Sequence, residues 1–335
     1  MTFPILVVLP FLVALASALA SFAVLRAIRR NPPPRQGRSR KKAADLVPQG
    51  GGLAVVPVLS AAWLICTMLG VAPSGAGIAA LAIAGLAALS LQDMRIGLPP
   101  LYRYTAQAIA VVVGLIFLPG SGHVFHGLLP VTLDLIVSTV IWMGAMRAIR
   151  WSDREEGLTA VWLVATGIGA AAVTFLAGDR DSGALALGIA GAAVAIGYLP
   201  WAWPPSRLLL GPVGTIPLGY ALAWLLLSLA GRGHWAAALI LASQPLGRLI
   251  WAGRASLIAR RASQQPPAVR PPRSKQKPET PVARLTAIAL AEGGLIGLAC
   301  LSTVWPWPAL VGAVLVVVRL TRSLAGLSGL GFLGI

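Results

Sequence analysis

Residues 3–25 read FPILVVLPFLVALASALASFAVL, an apolar stretch that Arg26, Arg29 and Arg30 follow closely. A transmembrane helix needs roughly 20 predominantly apolar residues to cross the hydrocarbon core of a bilayer. A cleaved signal peptide has a shorter apolar core with positive charge in front of it, whereas here the charge follows a longer run. The stretch is therefore predicted to be a first membrane span that enters from the outside.

The rest of the chain repeats this apolar pattern. Its 335 residues are 57% hydrophobic and 11% charged, with a mean hydropathy of +0.81. This composition leaves little polar surface for a water-soluble domain. We predict an all-α polytopic membrane helical bundle, with residues 1–335 as a single transmembrane domain. Eleven spans are predicted near residues 3–25, 52–70, 76–92, 104–119, 127–146, 158–177, 182–200, 208–229, 233–252, 285–302 and 305–321.

The positive charges divide the connections between these spans into two kinds. Of the 27 Lys and Arg residues, 25 lie in one alternating set of connections, and only Arg180 and Arg232 lie in the other. Cytoplasmic loops of membrane proteins carry such an excess of Lys and Arg. We therefore predict a multi-pass protein of the cell inner membrane, with its N-terminus outside and its C-terminus cytoplasmic.

The longest connections on the predicted cytoplasmic face are two basic loops, residues 26–50 and the Pro-rich residues 253–284. They are predicted to be solvated segments that anionic lipid headgroups attract. The net charge of +17 is thus explained by topology. Nucleic acid is not a predicted partner.

Four segments of unusual composition all fall on this face. Gly51 and Gly52 in the first open a span, where backbone N–H groups can approach a phosphate. The third contains a dense acidic cluster of Asp153, Glu155 and Glu156, for which an exposed ion-paired loop without function is the simpler interpretation. In chain order the motifs are PQGGGLA (48–54), LQDMRIGLPP (91–100), RAIRWSDREEGLT (147–159) and GYLPWAWPPSRLLLGPVGTIPLG (197–219).

In order and spacing the four motifs resemble those of the polyprenyl-phosphate N-acetylhexosamine-1-phosphate transferases of glycosyltransferase family 4. This family includes phospho-N-acetylmuramoyl-pentapeptide transferase and the undecaprenyl-phosphate GlcNAc-1-phosphate transferases. The resemblance runs from about Arg40 to Tyr220. It implies a ten- or eleven-span protein of cell-envelope glycan synthesis, whose cytoplasmic site transfers a sugar-1-phosphate from a UDP-sugar to a polyprenyl phosphate and releases UMP.

The implied partners are membrane lipid, polyprenyl phosphate and a UDP-sugar, and a homodimer is left open. The implied cofactor is Mg²⁺. Asp93 matches the first of the family's paired aspartates and Asp153 matches the aspartate of the third motif, so both are candidate catalytic residues and Asp153 is the candidate metal ligand. The candidate substrate-binding residues are Gly51, Gly52, Arg95, Arg150, Glu156, Arg207, Gly211, Gly214 and Thr215.

Several positions depart from the family pattern. Met94 stands in place of the second paired aspartate and Pro212 in place of a metal-binding carboxylate, while Arg147 and Arg150 replace two asparagines. The His-rich final motif of the family has no counterpart in residues 257–265. A thioether binds Mg²⁺ poorly, and disturbing even a residue behind the ligands typically costs about 10–100-fold in metal affinity or activity. Ordinary catalysis is therefore predicted to be impaired or lost.

Three hypotheses follow. The protein is an active transferase with an altered site that uses Asp93 or Asp153 with arginines, or a non-catalytic homologue that binds polyprenyl phosphate, a nucleotide sugar or a partner protein. The third hypothesis is a transporter, with intramembrane Asp134 and Glu292 as its pathway residues. These two carboxylates are expected to pair with hydroxyls or a basic side chain in the bundle.

Overall fold

The computed structural model describes residues 2–30, 47–119, 124, 130–153, 156–179, 183–247 and 281–327. Within these residues the chain forms eleven α-helices and no β-strand. The all-α prediction is confirmed. The helices are α1 (Thr2–Arg30), α2 (Gly51–Met68), α3 (Ser74–Ile96), α4 (Pro100–Ile116), α5 (Val131–Ser152), α6 (Leu158–Leu176), α7 (Ala184–Ala202), α8 (Pro212–Gly231), α9 (Trp235–Gly247), α10 (Pro281–Leu301) and α11 (Pro306–Leu327).

The outer surface of the bundle is apolar. Eight of the described helices are long and apolar enough to cross a membrane, and α4, α9 and the part of α11 up to Leu320 are shorter apolar helices. Phe11 on α1 and Leu290 on α10 each expose 75% of their surface. Lipid tails are as apolar as these side chains, so this surface is compatible with a bilayer. The chain is a multi-pass membrane protein.

Two helices extend further than the predicted spans at the end where the motifs lie. Helix α5 continues to Ser152, so Arg147 and Arg150 lie on a helix and not in a loop. Helix α3 continues to Ile96 and ends at Gly97, whose φ of 65° is the left-handed conformation common after a helix. Basic side chains in the last turn of a helix interact favourably with the negative end of the helix dipole. Both helices can therefore continue through their arginines instead of ending before them.

Most of the two predicted basic loops lies outside the described residues. In the first loop, residues 26–30 complete α1 and residues 47–50 lead into α2. In the second, residues 281–284 form the first turn of α10. The cytoplasmic placement of these loops therefore stays a prediction.

Helix α8 is the most deeply buried span and carries no charged residue. It packs against α2, α3, α5, α6 and α7. The indole Nε1 of Trp142 on α5 donates to the carbonyl oxygen of Tyr220 on α8 at 3.2 Å, and the Tyr220 hydroxyl donates to the carbonyl oxygen of Ala110 on α4 at 3.0 Å. These bonds fix α4 and α5 against the central helix.

Helices α6 and α7 touch through facing glycines. A Cβ atom added to Gly188 would lie 2.6 Å from the carbonyl oxygen of Gly167, and one added to Gly167 would lie 2.5 Å from the carbonyl oxygen of Gly188. Membrane helices approach this closely where small residues line the interface, because van der Waals contact replaces the hydrophobic effect as the main attraction.

Gly188→Ala is expected to destabilise the bundle by about 1–3 kcal/mol, because the added methyl group forces α6 and α7 apart. Gly191→Ala is the matched control on the same helix, since a Cβ there has no heavy atom within 4 Å. That change should be neutral or slightly stabilising, because alanine is the better helix former. Thermal unfolding of the purified variants in detergent compares them, and equal melting temperatures would contradict the close contact.

Candidate functional site

The first and fourth motifs meet through their backbones. The N–H groups of residues 50–52 donate to the carbonyl oxygens of Leu209 and Leu210 at 2.8 to 3.0 Å, and the N–H group of Leu209 donates to the carbonyl oxygen of Pro48 at 3.0 Å. The first N–H groups of a helix have no partner within the helix itself. Helix α2 finds its partners in the loop that leads into α8.

The starts of α2 and α8 also touch directly. A Cβ atom added to Gly52 would lie 2.2 Å from the backbone nitrogen of Gly214, so no larger residue fits there without moving α8. The N–H groups of Gly51 and Gly52 already donate to carbonyl oxygens. A phosphate would have to displace those oxygens to bind there, and the predicted phosphate contact of these glycines stays a prediction.

The third motif joins the same loop through its carboxylates. Asp153 accepts the N–H group of Gly211 at 2.8 Å on Oδ2 and that of Leu210 at 3.2 Å on Oδ1. Glu156 accepts the N–H group of Ser206 at 3.1 Å on Oε2. Residues 48–52, Asp153, Glu156 and residues 206–211 thus form one hydrogen-bonded unit, which we call the motif junction. The first, third and fourth motifs therefore meet, and their predicted placement on the cytoplasmic face stays a prediction.

Burial dominates the acidity of Asp153. Desolvation raises the pKa of its carboxyl from the ordinary value of 3.8 to about 6, although the N–H groups of Gly211 and Leu210 act in the opposite direction. Burial disfavours the charged form of a carboxyl, whereas hydrogen bonds donated to the carboxylate favour it. For Asp153 the effect of burial is the larger one, so the net shift of the pKa is upward.

Asp93 is engaged within the second motif. Its Oδ2 accepts from Nη1 of Arg103 at 3.1 Å, and its Oδ1 accepts from the N–H group of Leu98 at 3.0 Å. The ion pair is partly buried. Asp93 therefore links the end of α3 to the first turn of α4.

A cavity of about 220 Å³ lies between the N-terminal part of α4 and the C-terminal part of α5, beside α8. The Arg147 guanidinium stacks over the Tyr104 ring, 4.5 Å from its centroid. Such stacking of a cation on an aromatic face is attractive and holds the side chain in place. We call this space the arginine cavity, and its lining consists of Arg103, Tyr104, Gln107, Met146, Arg147, Arg150 and Ile216.

The lining of the arginine cavity is suited to an anion. Its three guanidinium groups are donors only, and their planar geometry matches phosphate oxygens. Gln107 is buried and adds an amide. Among the residues that the structure describes, no carboxylate belongs to the lining. The cavity can therefore hold a phosphate by charge and by directed hydrogen bonds.

The same residues do not fit a magnesium ion. Mg²⁺ takes oxygen ligands in near-octahedral geometry, usually with one or two carboxylates. In the part of the chain that the structure describes, no three His, Cys, Asp or Glu side chains are grouped closely enough to hold a metal. Both oxygens of Asp153 accept backbone N–H groups, and Asp93 is paired with Arg103.

The remaining predicted residues are dispersed. Arg95, Arg150 and Arg207 are all exposed, and of these three only Arg150 lines the arginine cavity. Gly211 belongs to the motif junction. Thr215 is buried, and among the described residues its hydroxyl has no hydrogen-bond partner.

Most of the cavity lining was not predicted as part of a site. The signal that reveals it is helical spacing, because positions 103, 104 and 107 share one face of α4 and positions 146, 147 and 150 share one face of α5. The first set follows the second motif closely, and the second set lies at the start of the third motif. The sequence alone does not show that these two helix faces meet.

The intramembrane carboxylates lie away from the cavity lining. Asp134 is buried and accepts the Ser138 hydroxyl at 3.1 Å, which confirms the expected hydroxyl partner. Glu292 is also buried. The transporter hypothesis that names these residues stays untested.

Comparison with known proteins agrees with the motifs. Residues 76–230 match the family described as Glycosyl transferase family 4. Over these residues, which carry the second, third and fourth motifs, the chain is similar to glycosyltransferase family 4. A Streptomyces coelicolor protein named "Putative glycosyltransferase" is 33% identical over 216 residues, which are 62% of this chain and 49% of the relative. The chain thus spans about half the length of this curated relative, and the predicted resemblance to the family is confirmed.

Asp153 is expected to make stability depend on pH. Its carboxyl has a pKa of about 6 in the folded chain and an ordinary value of 3.8, so the folded state holds the proton more tightly than the unfolded state does. The resulting stabilisation is full below about pH 4 and is lost as the pH rises through about 6. In detergent, the melting temperature of the wild type should therefore fall relative to that of Asp153→Asn between about pH 4 and 7.

Glu156→Gln removes a second carboxylate from the motif junction and controls for the loss of charge there. If the melting temperatures of wild type and Asp153→Asn change in parallel across this pH range, the prediction that burial raises the pKa of Asp153 is wrong.

Proposed function

We propose that this protein is a family 4 homologue that binds polyprenyl phosphate and a nucleotide sugar at the cytoplasmic face of the inner membrane, but has little or no ordinary magnesium-dependent transferase activity. The observation that carries the proposal is the arginine cavity. It lies between α4 and the end of α5, where the third motif begins, and three guanidinium groups line it. Its described lining contains no carboxylate.

The positions of the arginines support a binding role. Arg147 and Arg150 occupy two positions at which the family motif has asparagine, and both line the cavity. Arginine offers a fixed positive charge and a planar set of donors to phosphate. The change therefore strengthens the attraction for phosphate oxygens and weakens the attraction for a metal ion.

The engagement of Asp153 supports the loss of ordinary catalysis. A carboxylate that holds a metal or takes a proton must present an oxygen to it within hydrogen-bond reach. Each Asp153 oxygen already accepts an N–H group of the loop that precedes α8, and Asp153 does not belong to the lining of the arginine cavity. In this proposal the aspartate maintains the motif junction.

An active transferase is the second candidate, and one observation favours it. The pKa of Asp153, about 6, is close to the value suited to proton transfer near neutral pH. Arginines can stabilise the charge that develops during phosphoryl transfer. In that case Asp153 would accept a proton while Arg147 and Arg150 neutralise the diphosphate.

An assay of UMP release separates the two candidates. Purified protein in detergent is incubated with undecaprenyl phosphate, Mg²⁺ and either labelled UDP-GlcNAc or labelled UDP-MurNAc-pentapeptide. We expect UMP release no greater than in samples without protein, together with measurable binding of undecaprenyl phosphate. Metal-dependent UMP release that Asp153→Asn abolishes would overturn the non-catalytic proposal. If the protein binds neither undecaprenyl phosphate nor a UDP-sugar, the proposed binding function is overturned.

A further inference from the structure

Building on the proposed function, we infer that the arginine cavity binds the phosphate monoester headgroup of a lipid without a divalent cation. Asp93 serves this site as a positioning residue that holds Arg103.

Charge favours a phosphate monoester. In the described part of the chain, Arg103 has a carboxylate partner, whereas Arg147 and Arg150 have none within 4.0 Å. The lining therefore presents about two uncompensated positive charges. A phosphate monoester near neutral pH carries about −1.5 to −2. The positive charge of the lining and the negative charge of the phosphate monoester nearly cancel, so a magnesium ion is not needed to neutralise the ligand.

Size favours a headgroup over a whole nucleotide sugar. Pockets that enclose drug-sized ligands measure about 300–1,000 Å³. The arginine cavity, at about 220 Å³, is smaller than this range. A phosphate group with its first carbon atoms fits such a space, whereas a UDP-sugar would leave most of its atoms outside.

The surroundings favour a lipid as the carrier of that phosphate. Met146 and Ile216 contribute apolar surface to the lining itself. Beyond the cavity, Leu101 and Ile109 on α4 and Val140 on α5 expose more than half of their surfaces on helices that face lipid. An apolar chain attached to the phosphate can lie along these helices and keep its tail in the hydrocarbon region.

Asp93 acts through Arg103. Its carboxylate does not belong to the cavity lining, but it holds Nη1 of Arg103, which is a lining residue, at 3.1 Å. Its other oxygen is fixed by the N–H group of Leu98 at 3.0 Å. Because the fixed Asp93 carboxylate holds the Arg103 guanidinium, Arg103 loses less freedom when a ligand binds, which favours binding.

The test measures binding of undecaprenyl phosphate to the full chain in detergent with excess EDTA. Undecaprenol tests the need for the phosphate, inorganic phosphate tests the need for the lipid, and UDP-GlcNAc tests the nucleotide alternative. We expect binding of undecaprenyl phosphate in EDTA, with an affinity that Mg²⁺ does not improve. Binding to undecaprenol should be at least about tenfold weaker, because the charge-assisted hydrogen bonds to the phosphate are lost.

Arg147→Ala and Arg150→Ala are each expected to raise the dissociation constant about tenfold or more. The matched control is Arg319→Ala, which removes the same charge from an exposed position on α11 outside the cavity lining. That variant should bind as the wild type does. Melting temperatures recorded alongside show whether each variant folds.

The role of Asp93 is tested by a double-mutant cycle. Asp93→Asn keeps an oxygen for the N–H group of Leu98 but loses the ion pair, and should weaken binding about threefold to tenfold, with partial rescue by Asp93→Glu. In an Arg103→Ala background the same change should have little further effect, because coupled residues are not additive. Equal effects of Asp93→Asn in both backgrounds would overturn the positioning role.

The outcomes separate this inference from the proposed function. Binding that requires Mg²⁺, or that Arg147→Ala and Arg150→Ala leave unchanged, overturns the metal-independent site while the binding function stands. The lipid assignment is overturned if inorganic phosphate alone, at equal concentration, inhibits lipid binding. It is also overturned if the arginine substitutions change the affinity for UDP-GlcNAc more strongly than the affinity for the lipid. Absence of binding to both ligands overturns the proposed function itself.

Discussion

The arrangement of the site depends on how the chain satisfies the first N–H groups of α2. These groups lie at a helix end, where no intrahelical partner exists, and they donate to the carbonyl oxygens of Leu209 and Leu210. The N–H group of Leu210 in turn donates to Asp153. One continuous path of hydrogen bonds thus connects α2, the loop before α8 and the end of α5, and it sets where the last turn of α5 presents its arginines.

This path also explains why two aspartates can remain while their neighbours differ from the family pattern. Asp153 is needed as an acceptor for Leu210 and Gly211, and Asp93 as an acceptor for Arg103 and Leu98. Neither role requires a second carboxylate beside it. Met94 is exposed, so nothing in the structure requires an acidic group at that position.

The sequence predicts the fold well because the dominant signal is the length of apolar runs, which the bilayer thickness imposes directly. It predicts helix ends less well. The charge of Arg147 and Arg150 predicts a loop, yet both residues lie on α5, because the end of a helix accommodates positive charge. The first, third and fourth motifs, far apart in the sequence, meet through hydrogen bonds, while the site predicted from them stays a prediction.

The lining of the cavity could not be predicted in the same way. It depends on which face of α4 meets which face of α5, and this is fixed by distant contacts such as those of Trp142 and Tyr220 with their neighbours. The role of Asp153 likewise depends on N–H groups of Leu210 and Gly211, which lie 57 and 58 positions further along the chain. Sequence reasoning identified the aspartate but not its partners.

The shortness of α4 has a consequence for the lipid environment. Its 17 residues span about 25 Å, compared with about 30 Å for a typical hydrocarbon core. Such hydrophobic mismatch is relieved by local thinning of the bilayer or by tilting of neighbouring helices. Arg103 lies in the first turn of α4, so thinning would bring the headgroup region to the depth of the cavity. Acyl-chain length in the surrounding membrane would then control how readily a lipid phosphate reaches the guanidinium groups.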